Sequence, residues 1–408
     1  MKDKQLSFLS YETSKNMLEL LEINANRFER VPLSDSLGRV LAQDIVAKYN
    51  DPQFPTASMD GYAVKYEDLE LAQLQVLGDN PAGHDEHRVI HTGESIKTFT
   101  GSMMPEGADT LIQIENVSFH EGIITINETV PQGSSVRPIG EGYKSGDVLI
   151  QKGTKIGFAE VGVMAGLNQV MVKVAVRPRV GVIATGSEIL DLGEPSDNPA
   201  QIRSSNNYTL AALFEQAGAE VIQLGTAPDD RDAIMQTFEN ALSCADIIVS
   251  TGGVSVGDYD FVKDIVPRLG AEVVYKGVAI KPGRHIMVAQ RGHKFILALP
   301  GFAYSSTVTG ILYALPIIAK MLGKSAPYKT VAAKLQEDFK KRSPFTEFTA
   351  CNVVVEDGAY FVNFEGKKVG SSAILTNMLH ESALMVAGED DKFLEAGTYV
   401  NVILLDTF

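Results

Sequence analysis

Apolar positions along the chain change their spacing several times. Between residues 10 and 23, Met17, Leu18, Leu20 and Leu21 fall largely on one side of a helix, and Ser10 stands where it can cap the start. A second short helix is expected from Ser34, carrying Leu37, Val40 and Leu41. From Tyr49 to about Val148 the pattern becomes short alternating runs, such as 110–114 and 123–126, set among Gly, Pro and Thr. That texture predicts a small β-rich domain. Helical spacing returns in Phe158–Ala165, so the two flanks are read as one discontinuous helical domain into which the β domain is inserted.

From Arg177 to about Gly323, apolar runs at 180–184, 220–224, 246–250, 286–289 and 295–299 alternate with helical patterns at 207–217, 231–243, 259–269 and 303–322. Strand–helix alternation predicts a parallel sheet covered on both faces. After about residue 327 strands return, and Asp357-Gly358 between apolar runs is a two-residue hairpin signature. The expected class is multidomain α/β. Its parts are a discontinuous helical domain (1–48 with 149–176), an inserted β domain (49–148), an α/β domain (177–326) and a C-terminal β domain (327–408).

Composition narrows the function. A chain of 408 residues, 45% hydrophobic and 21% charged, is long enough for two to four folded domains. Its net charge of −15 argues against nucleic acid or anionic membrane as a partner. Cys244 and Cys351 are the only cysteines, too few for a disulfide framework or a cysteine metal site. The first residues lack a signal-like apolar core, and no run is read as reaching the roughly 18 apolar residues of a membrane span. A cytoplasmic protein is expected.

Three stretches carry candidate chemistry. In the first, the apolar run Ile247–Val249 leads through Gly252 and Gly253 toward a helical pattern, so backbone N–H groups can approach an anion. Ligands of open α/β sheets bind beyond the carboxyl ends of strands, and Glu188, Asp229, Asp230, Asp258 and Asp260 all fall there. Such a carboxylate rim suits Mg²⁺ bridging to a phosphate, the alternative being helix caps and solvated loops, especially for Asp230 and Asp258. The second stretch, 275–285, carries Lys276, Lys281 and Arg284 around a Pro-Gly turn, a set of donors for an oxyanion or else a solvated charge run. The third is the pair of turn-rich loops 56–63 and 98–109, where Asp60 is the residue able to do chemistry. The closely spaced His84, His87 and His91 fit no zinc spacing, and His285 is given no role.

The ordered set Ser58-Met59-Asp60-Gly61-Tyr62-Ala63, Thr100-Gly101 with 105–109, Thr185-Gly186-Ser187-Glu188, 251–260 and Lys281-Pro282-Gly283 resembles the molybdopterin molybdenumtransferase family, which includes bacterial MoeA and the E domain of gephyrin. The motifs run from about residue 30 to 323. The resemblance implies a homodimer of four-domain subunits that inserts molybdate into adenylated molybdopterin and releases AMP, with Mg²⁺, in contact with other cofactor-biosynthesis proteins or apo-molybdoenzymes. It implies metal at Glu188 and Asp260, a catalytic role for Asp229, and substrate contacts from Gly252, Gly253, Ser255, Pro300 and Gly301. Lys276, Lys281 and Arg284 would bind molybdate or phosphate, with Ser305 and Ser371 nearby, and Asp60 and Thr100 would come from the partner subunit.

Four segments depart from the family pattern. Gly142 stands where an acid is usual, Phe302-Ala303 replaces an Asn-Pro turn, Ser204 replaces an acid before Ser205-Asn206, and 343–350 lacks its arginine, with Arg342 only nearby. The rival reading is a catalytically impaired paralogue that binds molybdopterin or nucleotide as a scaffold.

Overall fold

The periodicity change near residue 177 marks the start of a six-stranded sheet in the computed structural model, which describes residues 8–23, 25, 27–84, 88–254, 261–380 and 382–405. Its strand order is Glu220–Ala227, Arg179–Thr185, Ile247–Thr251, Lys294–Leu299, Met287–Arg291 and Glu272–Lys276. The first four are parallel, as alternation with helices requires. Met287–Arg291 runs antiparallel to both of its neighbours, an exception to the parallel sheet that the alternation predicts. Arg291 faces Lys294 across Gly292-His293, a connection far too short for a parallel crossover of a dozen or more residues. Glu272–Lys276 was not foreseen as a strand because it runs into the basic stretch.

Both faces of the sheet are covered. Alternate residues Val180, Val182, Ile247, Val249, Leu297 and Leu299 pack with Leu210 and Phe214 of the helix Ser205–Gln216 and with Val308 and Leu312. The opposite parity, Ile183, Ile248, Ile296 and Ala298, packs on Phe238 of Arg231–Cys244 and on Ile265 of Val262–Arg268. The period of two in the strands meets the longer period of the helices, and Ile247, Ile248 and Val249 lose all exposure.

The long helix Ala303–Leu322 opens as α over Ala303–Thr309, passes through a π turn at Gly310–Ala314 and ends as α over Leu315–Leu322. Leu315 N–H donates to Gly310 O just before Pro316, which has no N–H to give. By length and composition this helix passes as a membrane span, contrary to the sequence expectation. Its apolar window is 83% buried inside the fold, as a core helix is.

The C-terminal region is a closed five-stranded barrel. Thr346–Glu356 pairs on one side with Ala359–Asn363 and on the other with Ser382–Ala387, and Thr330–Leu335 and Tyr399–Leu404 complete the ring. The hairpin at Asp357-Gly358 has both residues at positive φ, 49° and 78°, as its sequence predicts. Ile280–Lys281, from the α/β region, adds parallel to Thr346-Glu347.

Near the N-terminus, Ser10 caps the helix Tyr11–Leu20, accepting from Thr13 N–H at 3.1 Å. The second helix expected from Ser34 is only a 3₁₀ turn, Leu33–Asp35, capped at Ser36, and Val40 and Leu41 form β-bridges instead. Phe28–Pro32 pairs antiparallel with Met171–Ala175, so the chain leaves and returns at one ribbon. Phe158–Gly166 is helical as expected.

Asp44–Gln151 with Gly162–Gln169 form a separate compact unit. Its six-stranded sheet contains the foreseen strands Thr110–Gln113 and Ile123–Ile126. Tyr62, Val64, Leu74, Ile112 and Ile124 form its core.

Candidate active site

A cleft of about 690 Å³ opens beyond the carboxyl ends of the parallel strands. One wall carries Glu188 and Asp229, and Asp229 Oδ2 accepts from Ser187 N–H at 3.0 Å. The opposite elements supply the turn Gly252-Gly253 and the turn Pro300-Gly301. Gly252 lies at φ 91°, and a Cβ there would fall 2.8 Å from Thr185 Oγ1 and 2.9 Å from Thr185 O. Only a residue without a side chain lets this loop close on the neighbouring strand end. Asn206 ties the cleft's rim together by donating from Nδ2 to Gly301 O at 2.7 Å.

Lys281 and Ser371 line a second, smaller recess of about 20 Å³ between the α/β region and the barrel. Ser372 and Tyr304 line the recess, while their sequence neighbours Ala373 and Ala303 line the cleft. The Lys281 ammonium is 3.5 Å from Glu347. Gly283, at φ 96°, lets the Pro282-Gly283 turn lie on the core helix, since a Cβ would come within 2.3 Å of Thr309 Cγ2.

Several expected contacts are not brought to either cavity. Lys276 ends its strand exposed and lines neither. Arg284 places its guanidinium 5.8 Å from the Phe8 ring centre and 5.9 Å from that of Phe345, a cation–π site that charge spacing alone does not reveal. Ser305 is buried and donates from both its N–H and its hydroxyl to Ser372 O, so it braces the recess wall. Asp230 caps the helix Arg231–Cys244, accepting from Asp232 and Ala233 N–H groups, and so takes the alternative role weighed for it. Ser255, Asp258 and Asp260 lie outside the described residues.

Asp60 and Thr100, in the separate β unit, do meet. Thr100 donates to Asp60 Oδ1 from its N–H at 2.8 Å and its hydroxyl at 2.7 Å, and these bonds hold the Asp60 carboxyl below the usual carboxylate range. In the same unit Gly142 leaves space that Asp51 takes, because a Cβ at 142 would lie 2.7 Å from Asp51 Oδ2. Arg342 donates to Val369 O at 3.0 Å and lies against Gly370, beside Ser371.

Charge spacing passed over Arg203 and His285, which both line the cleft. Their signal was present only in three dimensions, through the short strand pairing of Ile189–Leu190 with Ile202–Arg203 and through the closure of the basic turn. Among the described residues no group of three or more His, Cys, Asp or Glu is placed to hold a metal. Two carboxylates on one wall, Glu188 and Asp229, are the oxygen set that suits Mg²⁺ when substrate phosphate and water supply the remaining ligands.

Comparison with known proteins agrees with this geometry. The MoeA N-terminal region (domain I and II) matches residues 9–167, and a probable molybdopterin binding domain matches residues 181–320. A molybdopterin molybdenumtransferase of Staphylococcus epidermidis is 32% identical over 401 residues, covering 96% of this chain and 93% of the relative. One from a Nostoc species is 34% identical over 391 residues, covering 92% and 88%. The chain belongs to the molybdopterin molybdenumtransferase family. A solved molybdopterin biosynthesis MoeA protein from Pyrococcus horikoshii superposes with a TM-score of 0.83 at 27% identity, over 98% of this chain and all of that one. Members of the molybdopterin molybdenumtransferase family are enzymes of molybdenum cofactor biosynthesis. The recognised motifs therefore sit on the fold that their order implied.

Proposed function

We propose that this chain inserts molybdate into adenylated molybdopterin and releases AMP, acting as a cytoplasmic homodimer. The carrying observation is the strand-end cleft that holds Glu188 and Asp229 with the Gly252-Gly253 and Pro300-Gly301 turns, next to the Lys281–Ser371 recess. The cleft has room for the phosphoanhydride and pterin side, and the cation and hydroxyls of the recess match the charge and acceptors of an oxyanion. Glu188 and Asp229, joined by Asp260, would hold Mg²⁺. When bound, that ion supplies positive charge to the leaving phosphate of AMP as the phosphoanhydride bond breaks. The protein orients the nucleotide through the glycine turns, and Lys281 holds the incoming oxyanion. Asp60 and Thr100 would reach this site from the partner subunit.

Incubating purified protein with adenylated molybdopterin, molybdate and Mg²⁺ tests the reading. AMP release together with reconstitution of an apo-molybdoenzyme is expected. One observation favours the scaffold alternative: Phe302 and Ala303, which replace the family's Asn-Pro turn, both line the cleft. Tight binding of adenylated molybdopterin without AMP release would favour it over the enzyme.

A further inference from the structure

We propose that Glu347 is a positioning residue for Lys281, fixing the lysine ammonium at the recess where an oxyanion binds; this rests on the function proposed above. Glu347 is only 2% exposed, whereas the Lys281 side chain keeps 27% of its exposure. The carboxylate is anchored on one oxygen and engaged with the lysine through the other. Oε2 accepts from Arg342 N–H at 3.1 Å and from the Ser343 hydroxyl at 3.2 Å, leaving Oε1 facing Lys281 Nζ at 3.5 Å. An ammonium carries three donors, so one directed at Glu347 leaves two for a ligand in the recess. Among the described residues lining the recess, Lys281 is the one cation and Glu347 the one carboxylate.

The pair is not needed to hold the α/β region to the barrel. That seam already has the parallel pairing of 280–281 with 346–347 and the bond from Thr346 N–H to Ala279 O. Tyr304 adds two more, donating to Phe348 O at 3.1 Å and accepting from Ala350 N–H at 2.8 Å. Buried ion pairs recover little net stability after desolvation, so its value lies in placement. Placement has an opposite electrostatic side. The carboxylate partly cancels the field that draws an anion to Lys281, so it aids orientation at the expense of ground-state attraction.

That opposition gives a readout that a purely structural residue would not move. In E347Q the carboxamide still accepts from Arg342 and Ser343, while the lysine gains uncancelled charge and loses its fixed direction. The KM for molybdate should fall about threefold or more as the counter-charge disappears. The kcat for AMP release should drop about tenfold as the ammonium loses its orientation. E347D keeps the charge but shortens the reach, so its KM should stay near that of the unaltered protein while kcat falls. An unchanged kcat in both variants, or a KM that rises in E347Q, overturns the assignment. Calorimetric titration with molybdate alone separates this from the proposed reaction. Tighter binding by E347Q supports the role, and equal affinity in the two proteins overturns it, whether or not AMP is released.

Discussion

The Asp60 carboxyl lies below the usual carboxylate range because Thr100 donates twice to one of its oxygens. Hydrogen bonds to the ionised form favour it, and the backbone N–H contributes more than the hydroxyl. In T100V the hydroxyl is lost and the N–H remains. The Asp60 carboxyl titration, followed by carbon NMR, should therefore move upward toward the ordinary range without reaching it. A midpoint that stays put would remove the hydroxyl from the account. The resemblance implied both residues for one site but not their bond, because forty positions separate them and neither loop has a spacing that points to the other. Arg284 has neighbours that the sequence does not reveal. Its place among Lys276 and Lys281 suggests an anion contact, and the rings of Phe8 and Phe345 that flank its guanidinium, distant in sequence, leave no local pattern. Asp230 was legible in both senses, since a carboxylate just before a helical run is also a cap.

At the scale of elements, the strands and helices of the α/β region follow their periodicities, whereas the direction of Met287–Arg291 follows from a connection too short to cross over. The β-hairpin at Asp357-Gly358 and the cap at Ser10 were fixed by local chemistry and needed no tertiary information. The turn at Pro282-Gly283 combines both kinds of constraint. Its backbone conformation favours glycine locally, and its contact with Thr309 on the core helix forbids a side chain globally. G283A should thus carry two costs of the same sign, backbone strain and overpacking against a fully buried residue. Together they amount to about 2–4 kcal/mol. Urea denaturation should show the midpoint falling with little change in slope. A loss below about 0.5 kcal/mol, the level of an ordinary surface change, would mean that the turn can move off the helix. Because Lys281 leads into this turn, the same variant should also weaken molybdate binding, and the urea midpoint separates the two effects.

Across the whole molecule, the formal charge of −15 opposes the substrates proposed above, which are themselves anions. Molybdate is a dianion and adenylated molybdopterin carries several phosphate charges, so the long-range field of the protein slows their encounter. Close to the cavities single cations stand among acids, Lys281 beside Glu347 at the recess and Arg203 with Glu188 and Asp229 in the cleft. Those local charges act within a few ångströms. The net charge acts over the Debye length, about 10 Å at 0.1 M salt. Screening should therefore remove repulsion before it removes attraction. At saturating Mg²⁺, kcat/KM for molybdate should rise as ionic strength increases from about 0.01 to 0.1 M, where the Debye length shrinks from about 30 to 10 Å. Salt with a weakly binding anion is needed, since sulfate would compete for the recess. If kcat/KM falls over that range instead, capture is governed by the cations of the recess and cleft, and the acidic surface lies too far from the entrance to matter.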